Sequence, residues 1–238
     1  MLRPGDRRQP EDVSEILSGR MRSRRSLMWI LVAIAGFVIA RQMGLFGPVV
    51  DTQSLATADT GALVDELQAA GPLLGQGNPD GDAVLVEFFD YRCPHCRRMA
   101  PVVAELTAND SGLYVIFVEY PVLGPESVLA AQYALAAARQ GAYGPYHRAL
   151  MYSTVAWTPE ALTDLGVSLG LDGAQLRSDA GSAEISALLA AYKAVGQKAG
   201  IDGTPAYVAG DLMLVGAADE LTLKEMIRQG REAAQTAP

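Results

Sequence analysis

A chain of 238 residues, half of them apolar and 19% charged, can bury a substantial core and does not have the composition of a disordered protein. Its formal charge of −8 is unevenly spread: residues 1–41 hold eight arginines against Asp6, Glu11, Asp12 and Glu15, which leaves −12 on the remainder. That acidic bulk argues against nucleic acid as a partner, because phosphate binding needs a basic stripe. Only Cys93 and Cys96 are present, so a disulfide framework is excluded and the pair is left with redox chemistry or metal binding.

In chain order, the first element is an apolar run at residues 27–40 (LMWILVAIAGFVIA), preceded by Arg20, Arg22, Arg24 and Arg25. As a helix it covers roughly 21 Å, against a bilayer core near about 30 Å. Apolar character resumes after Arg41-Gln42 as Met43-Gly44-Leu45-Phe46. An arginine near a helix end snorkels to the headgroups, so a transmembrane span over 27–46 is expected. The alternative is a cleaved signal peptide, whose apolar region is typically this short. The 26 residues ahead of the run, and the absence of a small-x-small site directly after it, argue for an uncleaved anchor. In both cases the positive-inside rule keeps residues 1–26 in the cytoplasm and sends the acidic bulk across the membrane. In a bacterial-type layout the expectation is a single-pass inner-membrane protein with its main domain in the oxidising periplasm, or a secreted periplasmic protein if the segment is cleaved.

Residues 47–75 read as a tether with a short helix near 62–70, and a turn-rich GQGNPDGD follows at 75–82. The main domain is expected over 76–232. Residues 83–89 (AVLVEFF) form an apolar run of strand length with one acid inside, Glu87. Pro94 suits the first turn of a helix reaching about residue 106, and 113–119 (LYVIFVE) is a second buried-type strand. From 125 to 200 the chain is rich in Ala and Leu and reads as helical, with one segment at 126–140 and another opened by Thr158-Pro159-Glu160 as N-cap and first turn. Ile185, Leu188, Leu189, Tyr192 and Val195 form an apolar stripe at helical spacing, read as core packing. Residues 206–209 and 212–215 predict a hairpin around Gly210-Asp211, then a closing helix over about 219–232 and a tail at 233–238. The order β-α-β, helical block, β-β-α predicts one sheet-centred α/β domain with a helical insertion at about 121–200.

The chemistry concentrates at Cys93-Pro94-His95-Cys96. Disulfide exchange needs an attacking thiolate, a second thiol near enough to resolve the mixed disulfide, and a good leaving group. A C-x-x-C that directly follows a buried strand and opens a helix supplies these together. Cys93 would sit at the helix N-terminus, where free N–H groups and the positive dipole end favour an anion, and His95 at the same end adds to that. Cys96, one turn further in, would be shielded. Arg92, Arg97 and Arg98 bracket the motif, either favouring the thiolate or forming a solvated helix face. A zinc site wants four ligands, and two Cys with two His (His95 and the distant His147) do not supply one; a two-thiolate Cu(I) site remains the non-enzymatic alternative. His147 reads as helix surface or core, and Asp90 and Tyr91 as structural.

The stretch VEFFDYRCPHC over residues 86–96 resembles the active-site strand and helix of the DsbA-like branch of the thioredoxin superfamily, and Gly203-Thr204-Pro205-Ala206 resembles that family's cis-proline loop. The resemblance covers about residues 76–232 and implies a thioredoxin-like fold whose helical insertion separates the active-site half from the cis-proline half. It implies Cys93 as nucleophile, Cys96 as its partner, a redox-active disulfide between them and no other cofactor. It also implies that Pro205 is cis beside the cysteines, with the Thr204 backbone pairing with extended segments of client proteins. Glu87, six residues before Cys93, matches the family's buried acid, and a carboxyl inside an apolar run should have a raised pKa suited to moving a proton to or from Cys96.

The resemblance leaves the direction of electron flow open. Pro94-His95 between the cysteines is the form found in strong oxidants, whereas Thr204 before the proline looks more like isomerase and reductase members. An isomerase needs two or more sites in one assembly, and the only candidate assembly element, 62–70, is very short for a coiled coil. The leading expectation is a dithiol oxidase of exported proteins recycled by a membrane redox partner. The alternative is an isomerase, or a reductant for cytochrome or copper-protein maturation.

Overall fold

The computed structural model describes residues 56–236. The predicted tail, membrane span and the first part of the tether lie outside them. Among the described residues no helix is long and apolar enough to cross a membrane.

The core of the domain is a mixed six-stranded sheet in the order β1 (Ala56–Thr57), β6 (Leu212–Val215), β5 (Ala206–Ala209), β3 (Ala83–Phe89), β4 (Leu113–Glu119), β2 (Leu74–Gly77). β3 (Ala83–Phe89) and β4 (Leu113–Glu119) run parallel at its centre, and each is buried at all but one position. Near-continuous apolar runs suit strands covered on both faces. Full burial of each Val, Leu or Phe there contributes about 1.5–3 kcal/mol. A parallel pair needs a crossover, which α2 (Pro94–Asn109) provides. The insertion is five helices: α3 (Pro125–Arg139), α4 (Tyr143–Tyr152), α5 (Pro159–Ser168), α6 (Gly173–Ala180) and α7 (Ala183–Lys198). Thr158 caps α5 as expected, its hydroxyl accepting from the Ala161 N–H. Of the stripe on α7, Ile185, Leu189 and Tyr192 are buried, and Leu188 and Val195 are half-buried against the core. Gly196 lets that helix close on the sheet, since a Cβ there would meet the Tyr120 ring at 2.6 Å.

The hairpin β5 (Ala206–Ala209) and β6 (Leu212–Val215) falls where its turn residues placed it, with β5 antiparallel to β3. Its Gly210 takes φ +57° and lies so near α8 (Glu220–Thr236) that a Cβ would meet the Gly230 Cα at 2.5 Å.

Three boundaries differ from expectation. Residues 56–75, read as tether, belong to the domain. β1 (Ala56–Thr57) pairs with β6, and α1 (Thr60–Ala70) buries Leu63 and Leu67. β2 (Leu74–Gly77) pairs antiparallel with β4 across residues read as a turn. A glycine-rich edge strand lacks the apolar alternation that marks strands, and backbone pairing needs no side chain: a Cβ on Gly75 would strike the Val115 carbonyl at 2.4 Å. Helix α1 packs on α7, tied by Lys198–Glu66 at 2.6 Å and by the Tyr192 hydroxyl donating to the Pro72 carbonyl at 2.7 Å. Its apolar face is therefore used within its own domain, which removes the observation behind an assembly role. The closing helix runs to Thr236 rather than ending at 232.

Candidate active site

Strand β3 ends at Phe89, and the chain turns through Asp90, Tyr91 and Arg92, closed by the Cys93 N–H donating to the Asp90 carbonyl at 3.0 Å. Cys93 is the N-cap of α2 and Pro94 its first residue. Proline there costs no hydrogen bond, because that N–H has no intrahelical partner. The Cys93 sulfur in turn accepts from the Cys96 N–H at 3.5 Å, as a capping side chain does. Both cysteines are free thiols. Cys93 retains 4% exposure and Cys96 none, so only the first sulfur is within reach of another molecule. Burial pushes the Cys96 thiol well above the ordinary thiol range, and its contact with Cys93 adds to the rise.

From a point 111 residues away the loop before β5 meets the motif: the Cys93 thiol donates to the Thr204 carbonyl at 3.3 Å. The Thr204–Pro205 peptide bond is cis. Cys93, Cys96, Thr204 and Pro205 are thus together.

Glu87 is buried on the central strand, opposite Phe117 on β4 and Tyr207 on β5. The Tyr207 hydroxyl donates to its Oε1 at 3.2 Å. Burial raises the Glu87 carboxyl to about 8, against the smaller lowering effect of that hydrogen bond, so it is protonated at neutral pH. Burial also pushes the Tyr207 phenol up, and the charges of Glu87 and then Cys96 add to the rise. Glu87 is therefore buried within the sheet rather than facing water.

The motif's other polar residues point elsewhere. His95 and Pro94 are exposed, and His95 Nδ1 sits 2.6 Å from the Arg98 guanidinium. Arg97 donates to the carbonyls of Leu150 at 2.9 Å and Tyr91 at 3.4 Å, and also to that of Ser153. Arg92 pairs with Glu126 at 2.9 Å and donates to the Leu123 carbonyl at 3.1 Å. Arg92 and Arg97 thus brace the loops around the motif, whereas Arg98 lies on the exposed helix face beside His95.

Glu119 escaped the sequence reading, and His147 takes the core alternative of its two readings. Glu119 closes β4 as a buried acid, accepting from the hydroxyls of Tyr91 at 2.7 Å and Tyr143 at 2.9 Å. Burial raises it to about 8. His147 lies in the core, stacked on Phe117 with centroids 4.4 Å apart, and its Nδ1 is 3.1 Å from the Tyr91 hydroxyl. Burial lowers it to about 3, so it is neutral. One signal was available: Glu119 ends an apolar run much as Glu87 interrupts the other. The partners that settle its role come from 24 and 28 residues away. Among the described residues no group of three or more His, Cys, Asp or Glu is placed to hold a metal ion.

Comparison with known proteins agrees with this geometry. A thioredoxin family profile matches residues 70–229. A thioredoxin-like oxidoreductase from Silicibacter pomeroyi DSS-3 is 37% identical with a TM-score of 0.66, over 71% of this chain and 98% of that one. The catalytic domain of Proteus mirabilis ScsC is 27% identical with a TM-score of 0.63, over 74% and 99%. The thiol-disulfide exchange protein alpha-DsbA2 from Wolbachia pipientis shares the fold, at 24% identity and a TM-score of 0.64 over 71% and 95%. A curated relative, the Na(+)/H(+) antiporter NhaA 3 of Salinispora tropica, is 25% identical over 134 residues, 56% of this chain; the match spans only 21% of the antiporter. With a C-x-x-C at the start of α2, a cis-proline loop against its first sulfur and a profile over most of the domain, the chain belongs to the thioredoxin family.

Proposed function

We propose that this oxidoreductase is a membrane-tethered dithiol oxidase that passes a Cys93–Cys96 disulfide to extended segments of exported proteins in the periplasm. The observation that carries this reading is the difference between the two sulfurs: Cys93 is the one within reach, beside the Thr204 carbonyl, and Cys96 is covered. In the oxidised pair a client thiolate attacks Cys93 Sγ, and the Cys93–Cys96 bond breaks. Cys96 leaves and is protonated; the protonated Glu87 carboxyl, hydrogen-bonded to the Tyr207 phenol, is the buried acid that supplies that proton. A second client thiolate then attacks the client sulfur of the mixed disulfide, forming the client disulfide and releasing Cys93 as thiolate. Two electrons have moved from client to enzyme, and a membrane redox partner takes them on to restore the pair.

The arginine-rich segment before residues 27–46 supports an inner-membrane anchor with the domain outside the cytoplasm. Residues 47–55 then serve as the tether, and the domain follows. Thr204 before Pro205 favours a second reading, in which the same pair isomerises or reduces disulfides.

Expression of a Cys96→Ser variant in cells tests the proposal. In this variant the Cys93 thiolate can still attack a client disulfide, displacing one client sulfur as thiolate, and no Cys96 thiol is present to break the resulting bond, so client proteins should accumulate as covalent adducts released by a reductant, and Cys93→Ser should capture none. Absence of adducts on Cys96→Ser would sink the client-oxidation reading. A wild-type pair found largely reduced in cells would move the assignment to the isomerase or reductase.

A further inference from the structure

We propose that Asp90 is a positioning residue that locks the Cys93 turn to Val122 and Leu123 as one rigid rim, over which an extended client segment is received. The inference rests on the exchange chemistry proposed above and specifies how that site takes a peptide rather than a small thiol.

An ionised carboxylate offers about four lone-pair sites. Asp90 is buried and uses all four. Its Oδ1 accepts from the Arg92 N–H at 2.8 Å and the Ser127 hydroxyl at 2.8 Å, and its Oδ2 from the N–H groups of Val122 at 2.8 Å and Leu123 at 2.9 Å. Its carbonyl holds the Cys93 N–H at 3.0 Å. Three segments therefore meet at one side chain: the turn before Cys93, the connection after β4, and the first turn of α3. Arg92 ties the same pieces a second time, through the Leu123 carbonyl and Glu126.

Only a carboxylate fits. An isosteric amide would replace one oxygen by NH2, facing two N–H donors in one orientation and an N–H with a hydroxyl in the other. Neither orientation satisfies the ring of donors, and a buried donor left unmatched is costly.

The backbone so fixed carries aliphatic side chains that the fold does not bury: Val122 is 40% exposed and Leu123 44%. They stand beside the Cys93 turn, while Thr204 lies against the Cys93 sulfur. A peptide laid along Thr204 and across Cys93 continues onto this rim, and an aliphatic or aromatic residue flanking its cysteine finds apolar contact there. A small dithiol reaches the sulfur without touching it.

The test compares the oxidised full-length chain with its Asp90→Asn and Ser127→Ala variants. Each is assayed against a cysteine peptide with aliphatic flanking residues and against dithiothreitol. The readout is the ratio of peptide to dithiothreitol rates, which misfolding of part of the sample leaves unchanged. Asp90→Asn should lower this ratio about tenfold, chiefly by raising KM for the peptide, and Ser127→Ala, which removes one donor of four, about two- to threefold. An unchanged ratio in Asp90→Asn, or parallel loss of both rates, overturns the proposal. If Asp90→Asn does not fold, an unchanged ratio in Ser127→Ala decides against it equally. A wild-type chain inert toward dithiothreitol would instead remove the exchange chemistry itself, a failure distinct from these.

Discussion

Glu87 and Tyr207 face each other across the β3–β5 pair, and the phenol donates to the carboxyl at 3.2 Å. Because the pair is buried, its protons are held tightly. Glu87 loses its proton only near pH 8, and Tyr207 keeps its own well beyond that.

The first prediction concerns the rate at which the oxidised pair reacts with a dithiol. In the proposed transfer Glu87 gives its proton to departing Cys96; it holds that proton at pH 7 and loses it above about 8. Glu87→Gln should therefore slow the reaction at pH 7 by about 10²-fold or more, and the ratio of wild-type to variant rates should fall as pH rises through 8. Stopped-flow rates from pH 6 to 9.5 measure this. A ratio flat across that range would remove Glu87 from the proton transfer.

The second prediction is a potential. A dithiol oxidase should equilibrate with glutathione near about −120 mV, whereas a pair kept for reduction would lie near roughly −270 mV. A value at the lower end would reverse the direction of transfer proposed for Cys93 and Cys96 and leave their chemistry intact.

The third prediction is a pH dependence of stability. Glu87 and Glu119 titrate near 8 when folded and near 4.5 ordinarily, so the folded chain binds their protons more tightly between those values. Their contribution is full below pH 4.5 and is lost as pH rises toward 8, at up to about 1.4 kcal/mol per pH unit for each group. Glu119→Gln keeps an acceptor for Tyr91 and Tyr143 but cannot ionise, and should remove about half of that loss. His147 runs the other way. Its folded value of about 3 lies below the ordinary 6.5, so its contribution is present above 6.5 and is lost as pH falls. Urea unfolding at pH 5, 6.5 and 8 reads both effects. An alkaline slope as steep in Glu119→Gln as in the wild type would mean that Glu119 is not the group responsible.

The parts of this protein that were legible in its sequence are those specified by near neighbours. An apolar run of seven residues followed within five positions by a cysteine and a proline marks a buried strand feeding a helix, and β3 and α2 lie there. Gly210-Asp211 between two short apolar runs marks a hairpin, and Thr158-Pro159 marks a helix start, because turn and cap preferences act over three or four residues. Cys93 and Cys96 needed no tertiary structure to be recognised as a pair.

Only the folded chain decided what surrounds them. Whether Glu87 faced water or the core depended on β5 arriving from 120 residues away to cover it with Tyr207. Asp90 read only as structural until Val122, Leu123 and Ser127 closed on its carboxylate, and His147, readable as surface or core, was fixed in the core when α4 was laid over β4. Burial and long-range hydrogen bonding are properties of chain closure, so a sequence read in windows of a few residues supplies the reactive sulfurs, and the tertiary structure supplies the acids, phenols and loops that govern them.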